Sequence, residues 1–207
     1  MRTVRSTLLI VAVIAAGLCD APLRPSGFGA QVSAQGTPAK LTVSSTAFKN
    51  GEAIPADYTA DGRNVSPPLA WSGAPPGTLE FALILDDPDA PTPQPFVHWV
   101  IYKIPGNATG LPEAVPMGGT VQGTGVGALQ GMTGFAMFAK PGGRPPDPGY
   151  RGPAPPSGKP HRYTFKVYAL KAPLDAKEGM TKDDLLKAME GKIIGQGEIV
   201  GLYERKR

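Results

Sequence analysis

The side chains with the most chemistry to offer are two histidines and the carboxylates and turn residues around them. His98 and His161 are the only histidines among 207 residues. Near them in sequence or pattern stand Asp87, Asp89, Tyr163 and the prolines Pro91 and Pro156. Imidazole is the side chain that changes between donor and acceptor near neutral pH. Two facing imidazoles and the Tyr163 hydroxyl can hold a phosphate or carboxylate, with Pro91 and Pro156 as rigid walls. Backbone N–H groups around Gly152 can add an anion-binding nest. Asp87 or a similar carboxylate would orient one ring and help it carry the proton that an anion demands.

Other chemistries fit less well. Two histidines and a carboxylate can bind a divalent metal, but no helical His-x-x-x-His stands in the chain and no thiol near the site, so no metal and no cofactor are expected. A serine hydrolase needs a nucleophile on a strand-to-helix elbow; Gly-x-Ser-x-Gly is absent, and Ser157-Gly158 lies in a loop. No catalytic residue is expected, and hydrolysis is the low-ranking alternative. The plain structural alternative is a hydrogen-bonded knot that only ties two loops together.

These residues need rigid supports. Phe81-Ala82-Leu83-Ile84-Leu85 is an apolar run of the kind that forms a strand buried on both faces, and it delivers Asp87 and Asp89 at its end. Pro88 and Pro91 fix backbone angles and remove donors, so the following loop is stiff. His98 then opens the strand-like run Trp99 to Ile104. A second stiff loop, Gly149 to Pro160, leads to His161, which opens Arg162 to Leu170. Loop, histidine and strand thus occur twice.

Together these segments resemble the phosphatidylethanolamine-binding protein family, also called Raf kinase inhibitor-like, in its bacterial branch. The similarity is carried by Asp87-Pro88-Asp89-Ala90-Pro91, His98-Trp99, and Gly152-Pro153 through Pro155-Pro156 to His161-Arg162-Tyr163. It extends over Ala47-Phe48, Ile54-Pro55, Tyr58 to Gly62, Asn64, Ser66 to Leu69 and Trp71. The resemblance implies a small pocket for phosphate groups and phospholipid head groups. By position it assigns ligand binding to Asp87, Asp89, Pro91, His98, Gly152, Pro156, His161 and Tyr163. Departures lie between Gly118 and Ala139, where a polar turn beside the pocket is replaced by Gly127 to Phe138, and in the added segment Lys140 to Pro148. Ala154 stands where relatives often have cysteine and Lys192 where they often have histidine.

The chain begins with Arg2 and Arg5 before a small and apolar run, Leu8 to Leu18, too short to cross a bilayer as a stable helix. Val32-Ser33-Ala34 offers a cleavage point before Gln35, preferred over Ala21 or Ala30. Cys19 raises a lipoprotein alternative, although Leu18 stands where glycine or alanine is wanted. The expectation is a leader over 1–34 and one exported domain, periplasmic or secreted, over 35–207. Without the leader the net charge falls from +4 to about +2. Such a domain, lacking a basic stripe, is a poor nucleic-acid binder. No stable membrane span is expected in the mature form.

Gly 27 and Pro 24 in 207 residues fall in loops between well-spaced apolar segments, as an all-β domain requires. Strands are expected at Leu41 to Ser44, Leu69 to Trp71, Thr78 to Leu85, Trp99 to Ile104, Arg162 to Leu170 and Glu198 to Tyr203. Thr181 and Asp184 form a capping box for a short helix with Leu185, Leu186, Ala188 and Met189 on one face, stopped by Gly191. The fold class is mainly β, a two-sheet antiparallel β-sandwich with a few short peripheral helices. The expected function is non-enzymatic binding of a small anionic or phosphorylated ligand. The rival is an inhibitor that meets a protease or kinase through the Pro-rich rim, Gly142 to Arg151.

Overall fold

The strands follow the hydrophobic runs, and their order along the chain explains why the two histidines meet. The computed structural model describes residues 37–121 and 127–206. The expected leader, with Cys19 and the three cleavage points, lies outside them. In chain order the strands are β1 Ala39–Lys40, β2 Thr42–Ser44, β3 Leu69–Ser72, β4 Glu80–Asp87 and β5 Phe96–Pro105. They continue with β6 Gly110–Leu111, β7 Thr120–Val121, β8 Ala128–Gln130 and β9 His161–Leu170; helix α1, Lys182–Met189, and β10, Ile193–Tyr203, follow.

Among the described residues a seven-stranded sheet has the order β1-β10-β9-β4-β5-β8-β7, and a three-stranded sheet the order β2-β3-β6. Of these strands only β1 pairs in parallel, with β10. The expected strand from Leu41 to Ser44 is divided: β1 joins the large sheet, β2 the small one, and buried Leu41 stands between them. Strands β6, β7 and β8 were not expected, being too short for a period of two to show.

Strand β4 is the central support. Phe81, Leu83 and Leu85 enter one core with Trp99, Ile101, Phe165 and Val167, closed by Val43, Leu69 and Trp71 of the small sheet. Ala82 and Ile84 enter a second core on the other face, with Val100, Tyr102, Leu185 and Met189, covered by α1. A strand sealed on both faces must be apolar throughout, which accounts for the unbroken run. The helix starts as its residues dictate. Thr181 accepts from the Asp184 N–H at 3.2 Å, and the Asp184 carboxylate accepts from the Thr181 N–H at 3.3 Å. Gly191, at φ 71°, takes the left-handed position after the helix.

The polar ends of β4 continue its alternation. Asp87 points to the face of Leu85, whereas Asp86 meets Lys182 of α1 at 2.6 Å on the opposite face. Strand β5 begins earlier than expected, so His98 lies within it. The β4–β5 register pairs Leu85 with Trp99 and Asp86 with Val97, leaving His98 as an extra residue in a bulge. A bulge re-aims a side chain. Here it turns His98 to the face of Asp87 without displacing Trp99 from the core.

Candidate functional site

His161 is the first residue of β9, and its alternation with Tyr163 and Phe165 places all three on the Asp87 face of the sheet. His161 Nδ1 donates to Asp87 Oδ2 at 2.8 Å. The other carboxylate oxygen of Asp87 accepts from the Asp89 N–H at 2.9 Å, so the turn after β4 holds this carboxylate in place. Asp87 is 3% and His161 9% exposed, which makes their contact a shielded one.

His98 is held differently. Its Nδ1 donates to the Arg151 carbonyl at 2.8 Å, and the Arg151 N–H donates to the His98 carbonyl at 3.0 Å. Three aromatic rings meet it edge-on: Tyr163 at 5.2 Å, Phe96 at 5.3 Å and Phe135 at 5.5 Å between centroids. Burial among them lowers the affinity of the ring for a proton below that of ordinary imidazole, against the opposing pull of the Arg151 carbonyl and Asp87.

The two rings line one cavity of about 190 Å³ together with Asp87, Pro91, Phe96, Phe135 and Pro156. This is smaller than the roughly 300–1,000 Å³ of sites that enclose drug-sized molecules. A wider groove of about 490 Å³ adjoins it, sharing Phe135 and Phe138 and reaching Asn64, Arg144, Arg151 and Gly152.

Five of the eight sequence-derived site residues therefore line the small cavity: Asp87, Pro91, His98, Pro156 and His161. The other three support it. Asp89 faces away, where its carboxylate accepts from Arg162 Nη2 at 2.7 Å and from Nε and the backbone N–H at 2.9 Å. That guanidinium holds the Asp89 carboxyl down to about 2. Gly152 borders the groove, and its N–H is already given to Asn64 Oδ1 at 2.8 Å, so it offers no nest to an anion in the small cavity. Its own requirement is steric: a Cβ there would fall 2.7 Å from the Tyr58 carbonyl oxygen.

Tyr163 lies beneath the site. Its hydroxyl is sealed from solvent and meets no partner in hydrogen-bonding geometry, although Asp87 is close enough for its charge to act. Burial, and then Asp87, push this phenol far up, so it stays un-ionised and its ring serves as a floor for His98.

Sequence reasoning missed Phe96, Phe135 and Phe138. Phe96 had a signal, since it precedes His98 by two residues on a strand, and Phe135 and Phe138 sit three apart in the 3₁₀ turn Gly134–Phe138. All three line the small cavity and give it an apolar side.

A family model described as phosphatidylethanolamine-binding protein matches residues 44–204. The chain belongs to the phosphatidylethanolamine-binding protein family. Within that family it is similar to a UPF0098 protein of Methanothermobacter thermautotrophicus, with 44% identity over 165 residues, 80% of this chain and 99% of the relative. A UPF0098 protein of Aquifex aeolicus is also 44% identical, over 80% of this chain and 89% of its own length. Among solved structures, YbcL of E. coli, described as a new member of the mammalian family, aligns with a TM-score of 0.68 and 35% identity over 81% of this chain and all of that one. A family homologue from Chlamydia trachomatis aligns at 0.67 and 33% identity, over 82% of this chain and all of that one. Phosphatidylethanolamine-binding proteins thus supply the fold expected from the residues, a mainly β, two-sheet sandwich.

Among the described residues no helix is long and apolar enough to cross a membrane. None of their His, Cys, Asp and Glu side chains form a group of three or more able to hold a metal ion.

Proposed function

We propose that this member of the phosphatidylethanolamine-binding protein family holds a small anionic or phosphorylated ligand in the two-histidine cavity and releases it unchanged. The observation that carries the reading is the His161–Asp87 contact at 2.8 Å beside His98 in one small cavity. Asp87 gives a protonated His161 its countercharge, and that ring then gives an oxyanion a charged donor. Phe96, Phe135 and Pro91 exclude water around it, which strengthens the contact. Family membership supports a ligand-binding role, and the phosphate character of the ligand rests on the donor chemistry.

The domain is proposed to act after export, as a form beginning near Gln35. A second reading has a specific observation behind it: Met137 and Phe138 are 67% and 69% exposed beside the groove, an apolar pair available to a protease or kinase target. Co-crystallisation with phosphoethanolamine separates the two. Density for the phosphate between His98 and His161 is the expected result, whereas an empty cavity at saturating ligand would favour the rim.

A further inference from the structure

The groove beside the cavity is walled by two kinds of side chain. Phe135, Phe138, Ala139 and Pro146 are apolar, and Phe138 is largely exposed. Asn64, Arg144 and Arg151 are polar, and all three carry donors. No carboxylate is among the lining residues. Arg144 and Pro146 come from the added segment Lys140 to Pro148, so part of this wall lies where the sequence departs from the family pattern.

The donors have little to hold. Asn64 Oδ1 accepts from the Gly152 N–H at 2.8 Å, which fixes the amide and leaves its NH₂ without an acceptor among the described residues. Arg151 joins none of the ion pairs that the described residues form. Its guanidinium has one long contact there, to the Asp147 carbonyl at 3.4 Å. The nearby carboxylates are taken: Asp147 pairs with Arg144, and Asp61, next to the lining residue Ala60, pairs with Arg205 and accepts from the Tyr203 hydroxyl. The groove therefore has an uncompensated positive charge at Arg151 beside exposed aromatic surface. Its complement is an anion with an apolar group close by.

The main chain narrows the partner further. A peptide that joins a protein by strand addition needs free backbone groups to pair with. The Ala60 N–H goes to the Pro153 carbonyl, the Ala139 N–H to the Ala136 carbonyl and the Arg151 N–H to the His98 carbonyl. The Gly152 N–H is held by Asn64, and Pro146 has none. A chain end needs no such ladder. Its carboxylate and its last side chain leave the same Cα, which suits donors and rings that share one groove of about 490 Å³.

We propose that this groove docks the carboxyl-terminal end of a polypeptide whose last residue is aromatic. The terminal carboxylate accepts from the Arg151 guanidinium, with the Asn64 amide as a further donor. The terminal ring lies against Phe135 and Phe138, where aromatic pairs gain more than the area they bury. This partner is separate from the ligand of the neighbouring cavity and does not depend on it.

Calorimetric titration of an acetylated pentapeptide ending in phenylalanine, as the free acid and as the carboxamide, into the purified protein tests this. The acid is expected to bind about ten- to a hundredfold more tightly than the amide, the effect of a hydrogen bond to a charged group. The same acid ending in alanine should bind about tenfold more weakly, for want of the buried ring. In Arg151→Gln the preference for acid over amide should shrink to within about threefold, and Arg151→Lys should keep part of it. If Arg151→Gln does not fold, the three peptides on the wild type decide alone. Equal affinity for acid and amide, or no binding of the acid at millimolar concentration, would overturn the proposal. Dodecanoate bound where the peptide is not would also overturn it and make the groove a site for an acyl chain. Each of these leaves anion binding in the small cavity standing, since titration with phosphoethanolamine reads that site separately.

Discussion

The Asp87 carboxylate is divided between two tasks: Oδ2 accepts from His161 Nδ1 at 2.8 Å, and Oδ1 accepts from the Asp89 N–H at 2.9 Å. One oxygen orients the ring and the other fixes the turn, so the geometry of the imidazole depends on the loop that follows β4. Replacing Asp87 by Asn keeps an acceptor but removes the countercharge for a protonated His161. Affinity for phosphate is expected to fall about ten- to a hundredfold, the equivalent of a hydrogen bond to a charged group at about 1.5–3 kcal/mol. Titration calorimetry on the Asp87→Asn variant reads this directly; unchanged affinity would show that the carboxylate only orients.

Asp89 and Arg162 supply a pH-dependent contribution to stability. The Asp89 carboxyl is held down to about 2, whereas in the unfolded chain it titrates near ~3.9. Unfolding therefore takes up a proton between these values, so the stabilisation is present in full above the unfolded value and is lost as pH falls through the folded one. The pair is largely exposed, so solvent screening keeps its contribution small. Urea unfolding of wild type and Arg162→Ala should show a small difference at neutral pH that closes near about pH 2. A constant difference at all pH values would mean that Arg162 stabilises through packing.

The segment Lys140 to Tyr150 has two parts with different expectations. Its Gly and Pro portion is largely exposed, with Arg144 paired only to Asp147, so removing a few residues around Gly142 should change stability by less than about 1 kcal/mol. Tyr150 is instead fully buried, edge-on to Trp99 at 5.5 Å, with its hydroxyl donating to the Tyr58 carbonyl at 2.5 Å. Tyr150→Phe should cost about 1–3 kcal/mol, because the Tyr58 carbonyl loses its donor. Thermal melts of the two variants rank them, and equal losses would contradict this division.

Gly152→Ala tests the support under His98. A Cβ meets the Tyr58 carbonyl oxygen at 2.7 Å and Thr59 Cα at 2.8 Å, both backbone, so the loop must move. Overpacking of this kind costs about 1–3 kcal/mol. Because Arg151 holds His98 through two backbone contacts, phosphate affinity should fall together with the melting temperature. A lower melting temperature with intact affinity would separate the loop from the site.

How much of this was legible in the residues differs from element to element. The buried run of β4, the alternation of β9 and the Thr181–Asp184 cap are local patterns, and each formed where its residues placed it. Asp87, His98 and His161 were legible because their loops are unusual in composition. The bulge at His98 was not, since it exists only in the register between β4 and β5. Asp89 and Gly152 were given site roles by position, but each is claimed by a distant partner, Arg162 or Asn64, that no local pattern reveals. Tyr150 was hidden for a similar reason: it ends a polar loop, and only the packed core shows what it touches.

The most direct test is a calorimetric titration of phosphoethanolamine into the wild type and His161→Ala at about pH 6, with circular dichroism confirming that both are folded. If His161 holds the anion, the wild type binds about ten- to a hundredfold more tightly than the variant. Equal affinity of the two proteins would contradict the account and leave the histidines a purely structural role.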